Sequence, residues 1–217
     1  MINKTIVLFL TGIMLTGCVT TGQVKSYPPE KPDLKTRYLF WMHGLKVEDV
    51  GPDHIRAKNY EKIVEALASN GFYVITEHRE PVVIEIYATV IAKQVRELLK
   101  KGVPPQNITV SGYSKGSLMA AAASSELANP KINFVLVSGC TDRHALDYSN
   151  VKGRILSIYD KGDQGWFSCA ERINGDAPGV EFKEVSILTE RGHKGFRIPK
   201  SKFMDKWQTP MFEWIRN

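Results

Sequence analysis

Ile108-Thr109-Val110-Ser111-Gly112-Tyr113-Ser114-Lys115-Gly116-Ser117-Leu118-Met119-Ala120-Ala121-Ala122 decides the fold of this 217-residue chain. Its first three residues are β-branched and suit a strand. Its last six are a small-residue run that suits a helix packed closely on a sheet. Between them stands Gly112-Tyr113-Ser114-Lys115-Gly116, a G-x-S-x-G pattern in strand–turn–helix context. Such a turn holds a serine in a strained conformation with its Oγ above the sheet edge. Glycines flank the serine because side chains there would collide with the neighbouring strand and helix. The helix that leaves the turn aims its first N–H groups where negative charge can develop. An ordinary strand–turn–helix junction can carry the same five letters, so the surrounding chain has to discriminate.

Outward from this stretch the chain alternates. Arg37-Tyr38-Leu39-Phe40-Trp41-Met42 is nearly continuous in apolar residues, as a strand buried on both faces must be. His43-Gly44-Leu45 ends it. Tyr60, Ile63, Val64 and Leu67 follow at helical spacing, stopped by Asn70-Gly71. Phe72 to Thr76 reads as a second strand. Tyr87, Val90, Ile91, Val95 and Leu98 form the next helical stripe, ended by Gly102 and Pro104-Pro105. After the helix that runs to about Leu127, three more strands are expected at Ile132 to Val137, Arg154 to Tyr159 and Glu181 to Leu188. Trp207 to Ile215 closes the chain as a helix despite Pro210. The pattern predicts an α/β fold: a mostly parallel sheet of about six strands, flanked by helices on both faces. Ligands in such sheets bind beyond the carboxyl ends of the strands. His43-Gly44, Ser114, the turn after Tyr159 and the turn after Leu188 all fall there. No long insertion separates the fourth and fifth strands, so no cap domain is expected, and no segment carries a pocket signature.

A serine nucleophile needs a base, and after such a turn the order is serine, then acid, then histidine. Of five histidines, His43, His54 and His78 precede Ser114, and His144 lies before the loops that could supply the acid. His193, in Arg191-Gly192-His193-Lys194-Gly195-Phe196, follows the last strand and is the candidate base. Ser157-Ile158-Tyr159-Asp160-Lys161-Gly162-Asp163 carries two candidate acids, Asp160 and Asp163, with Asp142 a third. The acid must accept from His193 Nδ1–H so that Nε2 can take the serine proton. The candidate oxyanion donors are the backbone N–H groups of Lys115 and Leu45, with Gly44 permitting close approach. The His43 side chain reads as structural, and the Lys115 side chain as solvent-facing or, alternatively, as attracting an anionic group on a substrate.

The N-terminus carries a different signal. Met1-Ile2-Asn3-Lys4 is positive, Ile6 to Leu15 is apolar but too short to span a bilayer, and Leu15-Thr16-Gly17-Cys18 follows. This resembles a bacterial lipoprotein signal peptide: residues 1–17 are removed and Cys18 is lipidated. Val19 in place of Asp favours, by the sorting rule of that class, the outer membrane of a Gram-negative cell, facing the periplasm. Val19 to Thr36 is polar and rich in proline. It reads as a tether able to reach about 60 Å, leaving residues 37–217 as one domain. Cys140 and Cys169 are a possible disulfide in an exported chain, or else two buried thiols. A net charge of +6 comes from scattered basic residues with no stripe interleaved with aromatics, which disfavours nucleic-acid binding. No H-E-x-x-H or similar spacing points to a metal, and no cofactor is expected.

From Tyr38 onward the chain resembles small bacterial α/β-hydrolase-fold proteins. The resemblance rests on WMHG (Trp41 to Gly44), ITVSGYSKG (Ile108 to Gly116), SIYDKGD (Ser157 to Asp163) and GHKGF (Gly192 to Phe196). It implies a serine hydrolase without a cap, with an acyl-enzyme on Ser114 and water activated by His193. It also favours Asp163 over Asp160, because Asp163 stands in the acid's place and Asp160 where a glycine is usual. Two features depart from the family: the leading antiparallel strand pair is missing, and the oxyanion loop lacks the HGGG glycines. The expectation is a monomeric, membrane-anchored esterase acting on small carboxylic esters or thioesters. A non-catalytic envelope lipoprotein that scaffolds a partner is the alternative, and a peptidase is disfavoured by the lack of a sorting domain.

Overall fold

The computed structural model describes residues 22–144 and 146–217. The segment read as a signal peptide and Cys18 lie outside the described residues. Seven strands form one sheet: β1 (Gln23–Lys25), β2 (Tyr38–Met42), β3 (Tyr73–Ile75), β4 (Ile108–Tyr113), β5 (Asn133–Val137), β6 (Gly153–Asp160) and β7 (Val180–Ile187). Their order is β1-β3-β2-β4-β5-β6-β7, and every pairing is parallel. The sheet is therefore parallel throughout and one strand larger than the sequence reading.

Among the described residues five α-helices accompany the sheet: α1 (Leu45–Glu48), α2 (Ile55–Ala68), α3 (Ile84–Lys100), α4 (Lys115–Leu127) and α5 (Ser201–Arg216). Two cores form, one on each face. Tyr38, Phe40 and Met42 of β2 point into the core shared with α3 and α4, beside Ile91, Val95, Leu98, Leu118 and Met119. Leu39 and Trp41 point the other way, into the core with α2 and α5, beside Ile63, Leu67, Trp207 and Met211. This two-sided burial is why β2 reads as an unbroken apolar run. α5 starts earlier than expected and continues through Pro210. Its buried face, from Phe203 to Ile215, offsets the roughly 3 kcal/mol that an interior proline costs.

The extra strand lies in the stretch read as a tether. Gln23, Val24 and Lys25 pair with Tyr73, Val74 and Ile75. Nearby, Tyr38 Oη donates to Asp33 O at 3.1 Å and Asn107 Nδ2 donates to Leu34 O at 2.9 Å. Residues 22–36 are thus docked on the domain. The three β1 side chains are all exposed. An edge strand held by its backbone needs no apolar alternation, so composition could not reveal it.

The chain visits β3 on one side of β2, then crosses to β4 on the other. Such a reversal opens a crevice at the carboxyl ends of β2 and β4. There the elbow is packed to contact. A Cβ on Gly116 would sit 2.2 Å from Met42 O, and one on Gly112 would sit 2.5 Å from the Gly116 carbonyl carbon. Neither neighbour is a flexible side chain, so Gly116→Ala should cost about 3 kcal/mol or more. Urea unfolding of that variant should show the loss as a lowered midpoint, with Gly51→Ala, whose Cβ meets nothing within 4 Å, as the control.

Candidate active site

Ser114 connects β4 to α4 with φ 57° and ψ −121°. A non-glycine residue at positive φ is strained by about 1–3 kcal/mol, and the surroundings must hold it there. Its N–H donates to Val137 O at 3.0 Å, and its carbonyl accepts from Ser117 N–H at 2.8 Å. Lys115 is the first residue of α4, so its N–H has no intrahelical acceptor. Leu45 likewise opens α1, after Gly44. The Gly44 loop packs directly on the serine: a Cβ there would lie 3.2 Å from Ser114 Cβ. Two short runs of unpaired N–H groups therefore begin beside one hydroxyl.

His193 sits in a 3₁₀ turn (Gly192–Arg197) after β7. Its Nε2 lies 3.0 Å from Ser114 Oγ, and its Nδ1 lies 2.8 Å from Asp163 Oδ2. A carboxylate can only accept, so in the neutral ring Nδ1 carries the proton and Nε2 faces the serine as acceptor. The ring is fixed on both sides. Trp166 stacks on it at 5.0 Å and 18°, and Tyr113 lies 4.7 Å away at 36°. Tyr113 Oη also donates to His193 O at 2.7 Å. Burial pushes the Tyr113 phenol well above its ordinary range, so it stays a donor.

Asp163 and Asp160 divide two tasks. Asp163 meets His193 with one oxygen and accepts from Gly165 N–H with the other, at 3.1 Å. Asp160 makes no contact with His193. Its carboxylate is buried, accepting from Gly162 N–H at 2.8 Å, from Thr189 N–H at 2.9 Å and from the Thr189 hydroxyl. It ties the end of β6 to the loop after β7 and so braces both partners of Ser114. Asp142 is far from any such role: its side chain is 79% exposed and pairs with Arg172. Cys140 and Cys169 form a disulfide, with Cα atoms 5.4 Å apart. Together with Phe167 N–H donating to Cys140 O at 3.0 Å, it clips the loop that carries Asp163 and Trp166 to the end of β5.

The Lys115 side chain does not face solvent. Its Nζ lies 2.7 Å from Glu48 Oε2, and Arg79 lies 2.8 Å from the other Glu48 oxygen. Arg79 also donates its guanidinium to His43 O at 2.6 Å and its N–H to His43 Nε2 at 3.0 Å. The α1 turn brings Glu48 inward, and a buried carboxylate draws in whatever cation can reach it. This cluster joins the Gly44 loop to the elbow. Glu48 and Arg79 were not singled out from sequence. The available signal was one of charge: Glu48 and Lys115 have opposite signs and lie on two loops expected at one edge. Arg79 and Trp166 offered none. His43 is structural, as read. Burial, reinforced by the Arg79 charge, lowers it from 6.5 to about 3, so it stays neutral.

Ser114 and His193 open into a cavity of about 620 Å³ that no sequence feature announced. Trp41, Tyr60, Ile63 and Phe196 supply apolar wall. Among the described residues no three His, Cys, Asp or Glu side chains are grouped to hold a metal ion.

No protein-family model matches the chain, and no curated protein matches it. Solved structures do. SOBER1 from Arabidopsis thaliana aligns with a TM-score of 0.53 at 16% identity, over 83% of this chain and 98% of that one. Esterase B from Lactobacillus rhamnosis aligns at 0.55 and 14%, over 88% and 78%. Likeness at such low identity establishes the fold, which is that of the α/β-hydrolases, with no cap domain among the described residues.

The His43 environment has a measurable consequence. Its folded pKa lies below its unfolded value, so its contribution to stability is complete above pH 6.5 and falls away as the pH drops from 6.5 towards 3. The slope should approach about 1.4 kcal/mol per pH unit in that window. Unfolding free energies measured between pH 7.5 and 4.5 should fall more steeply for the wild type than for His43→Gln.

Proposed function

We propose that this protein is a serine hydrolase that cleaves small carboxylic esters or thioesters through an acyl-enzyme on Ser114. The observation that carries the reading is the continuous line from Asp163 through His193 to Ser114, with both contacts at hydrogen-bond distance. His193 Nε2 accepts the Ser114 proton as Oγ attacks the acyl carbon. The carbonyl oxygen becomes an oxyanion, stabilised by the N–H groups of Leu45 and Lys115. Asp163 holds the ring in place and stabilises the imidazolium that forms. The imidazolium then protonates the departing alcohol or thiol, leaving the acyl group on Ser114. Water, deprotonated by His193, attacks the acyl-enzyme. Its collapse returns the proton to Ser114 and releases the acid. Esterase B shares the fold at low identity, which supports this chemistry without fixing the substrate.

The non-catalytic scaffold reading is less favoured, because binding a partner would not need a strained serine aligned with a histidine and a buried carboxylate. We further propose that residues 1–17 direct export, that lipid on Cys18 anchors a monomer to the envelope, and that in a Gram-negative cell the domain faces the periplasm from the outer membrane. With residues 22–36 docked on the domain, only a few residues would separate the lipid from the folded surface.

A fluorophosphonate probe should label the wild-type protein, and peptide mapping should place the adduct on Ser114. Ser114→Ala and His193→Ala should not react. Folded wild type that stays unlabelled would overturn the proposal. With p-nitrophenyl esters, Asp163→Asn should lower kcat by about 10³–10⁴-fold, by loss of the correct tautomer. Asp160→Asn should instead lower the melting temperature, because it perturbs the brace rather than the proton path.

A further inference from the structure

The charged side chains that line the Ser114 cavity are of one sign, with the Asp163 carboxylate set behind His193. Lys46 on α1, Arg56 at the start of α2, Arg143 after β5, and Lys194 and Arg197 on the His193 turn all line it. No Asp or Glu lines it. Lys115 also lines it, but its charge is satisfied by Glu48. The other five make no ion pair among the described residues. They come from segments far apart in sequence, so the fold gathers them around the serine from several sides. Ion pairs elsewhere on the domain show that acidic partners are available, for example Asp53 with Lys58 and Glu181 with Arg154. Among the described residues, none lines this cavity.

Below the cations the wall is apolar, with Trp41, Ile63, Phe196 and Ile198. Apolar walls lower the local dielectric and strengthen the pull of a cation on an anion. Arginine adds a planar fork that fits carboxylate and phosphate oxygens. A volume of about 620 Å³ has room for both a short apolar chain and a charged group.

We infer that the substrate of Ser114 is an amphiphilic ester or thioester carrying a carboxylate or phosphate group, held by the unpaired cations of the cavity mouth while its apolar part lies against the inner wall. This rests on the hydrolase reading above, and the tests separate the two. Two matched ester pairs place the anion on either half of the substrate. p-Nitrophenyl pentanoate against the p-nitrophenyl half-ester of glutaric acid charges the acyl half. p-Tolyl butyrate against the butyrate ester of 4-hydroxyphenylacetate charges the alcohol half. At low ionic strength the anionic member of at least one pair should have a kcat/KM about tenfold higher or more. That ratio should shrink in 0.5 M salt, because screening weakens exposed charges. It should also shrink in the double variant Arg56→Gln/Arg197→Gln. A ratio near or below one in both pairs, or one that neither salt nor the double variant changes, would overturn the inference while leaving the hydrolase reading intact.

Binding without turnover gives the independent arm. Calorimetry on full-length Ser114→Ala should show octyl phosphate binding about tenfold tighter than octyl glucoside, and the charge-removing pair of substitutions should abolish the difference. Equal binding of the two would count against the anionic site even if fluorophosphonate labels Ser114. Tight phosphate binding together with absent labelling would sink the hydrolase reading and keep the anion site.

Discussion

A single residue in a strained backbone conformation organises this protein. The chain passes from β4 to α4 through Ser114 alone, at positive φ. That is possible only where the helix start can press against the carboxyl end of β2, and Gly116 is held against the Met42 carbonyl for that reason. The contact in turn fixes where the Gly44 loop can run, because that loop packs on the Ser114 side chain. The strain is held by neighbours on every side: a hydrogen bond to Val137, the first turn of α4, and the loop after β2. The serine's position is thus a property of three strands and a helix together.

Charge completes the arrangement that sterics begin. Burying Glu48 with Arg79 and Lys115 is unfavourable in desolvation and favourable in attraction, and such groups are stable only as a set. Here the set joins the Gly44 loop, the loop after β3 and the elbow. Removing Glu48 leaves two cations without their carboxylate, whereas loss of either cation leaves Glu48 paired with the other. His43 remains neutral between them, donating to one carbonyl and accepting from one N–H. At the other side of the serine, the Asp160 carboxylate does a related job with neutral partners. It binds the ends of β6 and β7, so that Asp163 and His193 are carried on loops whose roots cannot drift apart.

The central strands and helices were legible because burial on two faces leaves a strong mark on composition. β2, β4 and β5 are buried throughout and mostly apolar, and α2 and α3 keep their helical stripes. β1 was illegible for the opposite reason: it contributes backbone only, with all three side chains exposed. Among the site residues, Ser114 and His193 could be read because their chemistry demands a residue type, a strand end and a chain order, whereas Asp163 was favoured over Asp160 only through the family resemblance. Glu48, Arg79 and Trp166 act through packing and attraction between segments, for which local sequence holds no register. The cavity and its one-signed rim belong to the same class, since they arise from loops that meet only after the sheet has formed.

The geometry at Ser114 has one more meaning. His193 is 79 residues from the serine it faces, and Glu48 is 67 residues from Lys115. Asp163 and His193, 30 apart, are brought together by the pairing of β6 with β7. None of these three contacts is local, and parallel sheets of this kind assemble slowly because distant segments must meet first. A partly folded chain can hold any one of the elements but not the constellation. The alignment of Ser114 with His193 therefore reports that the last strand has found its place. On the hydrolase reading, reactivity at Ser114 and completion of the fold become two readings of the same event.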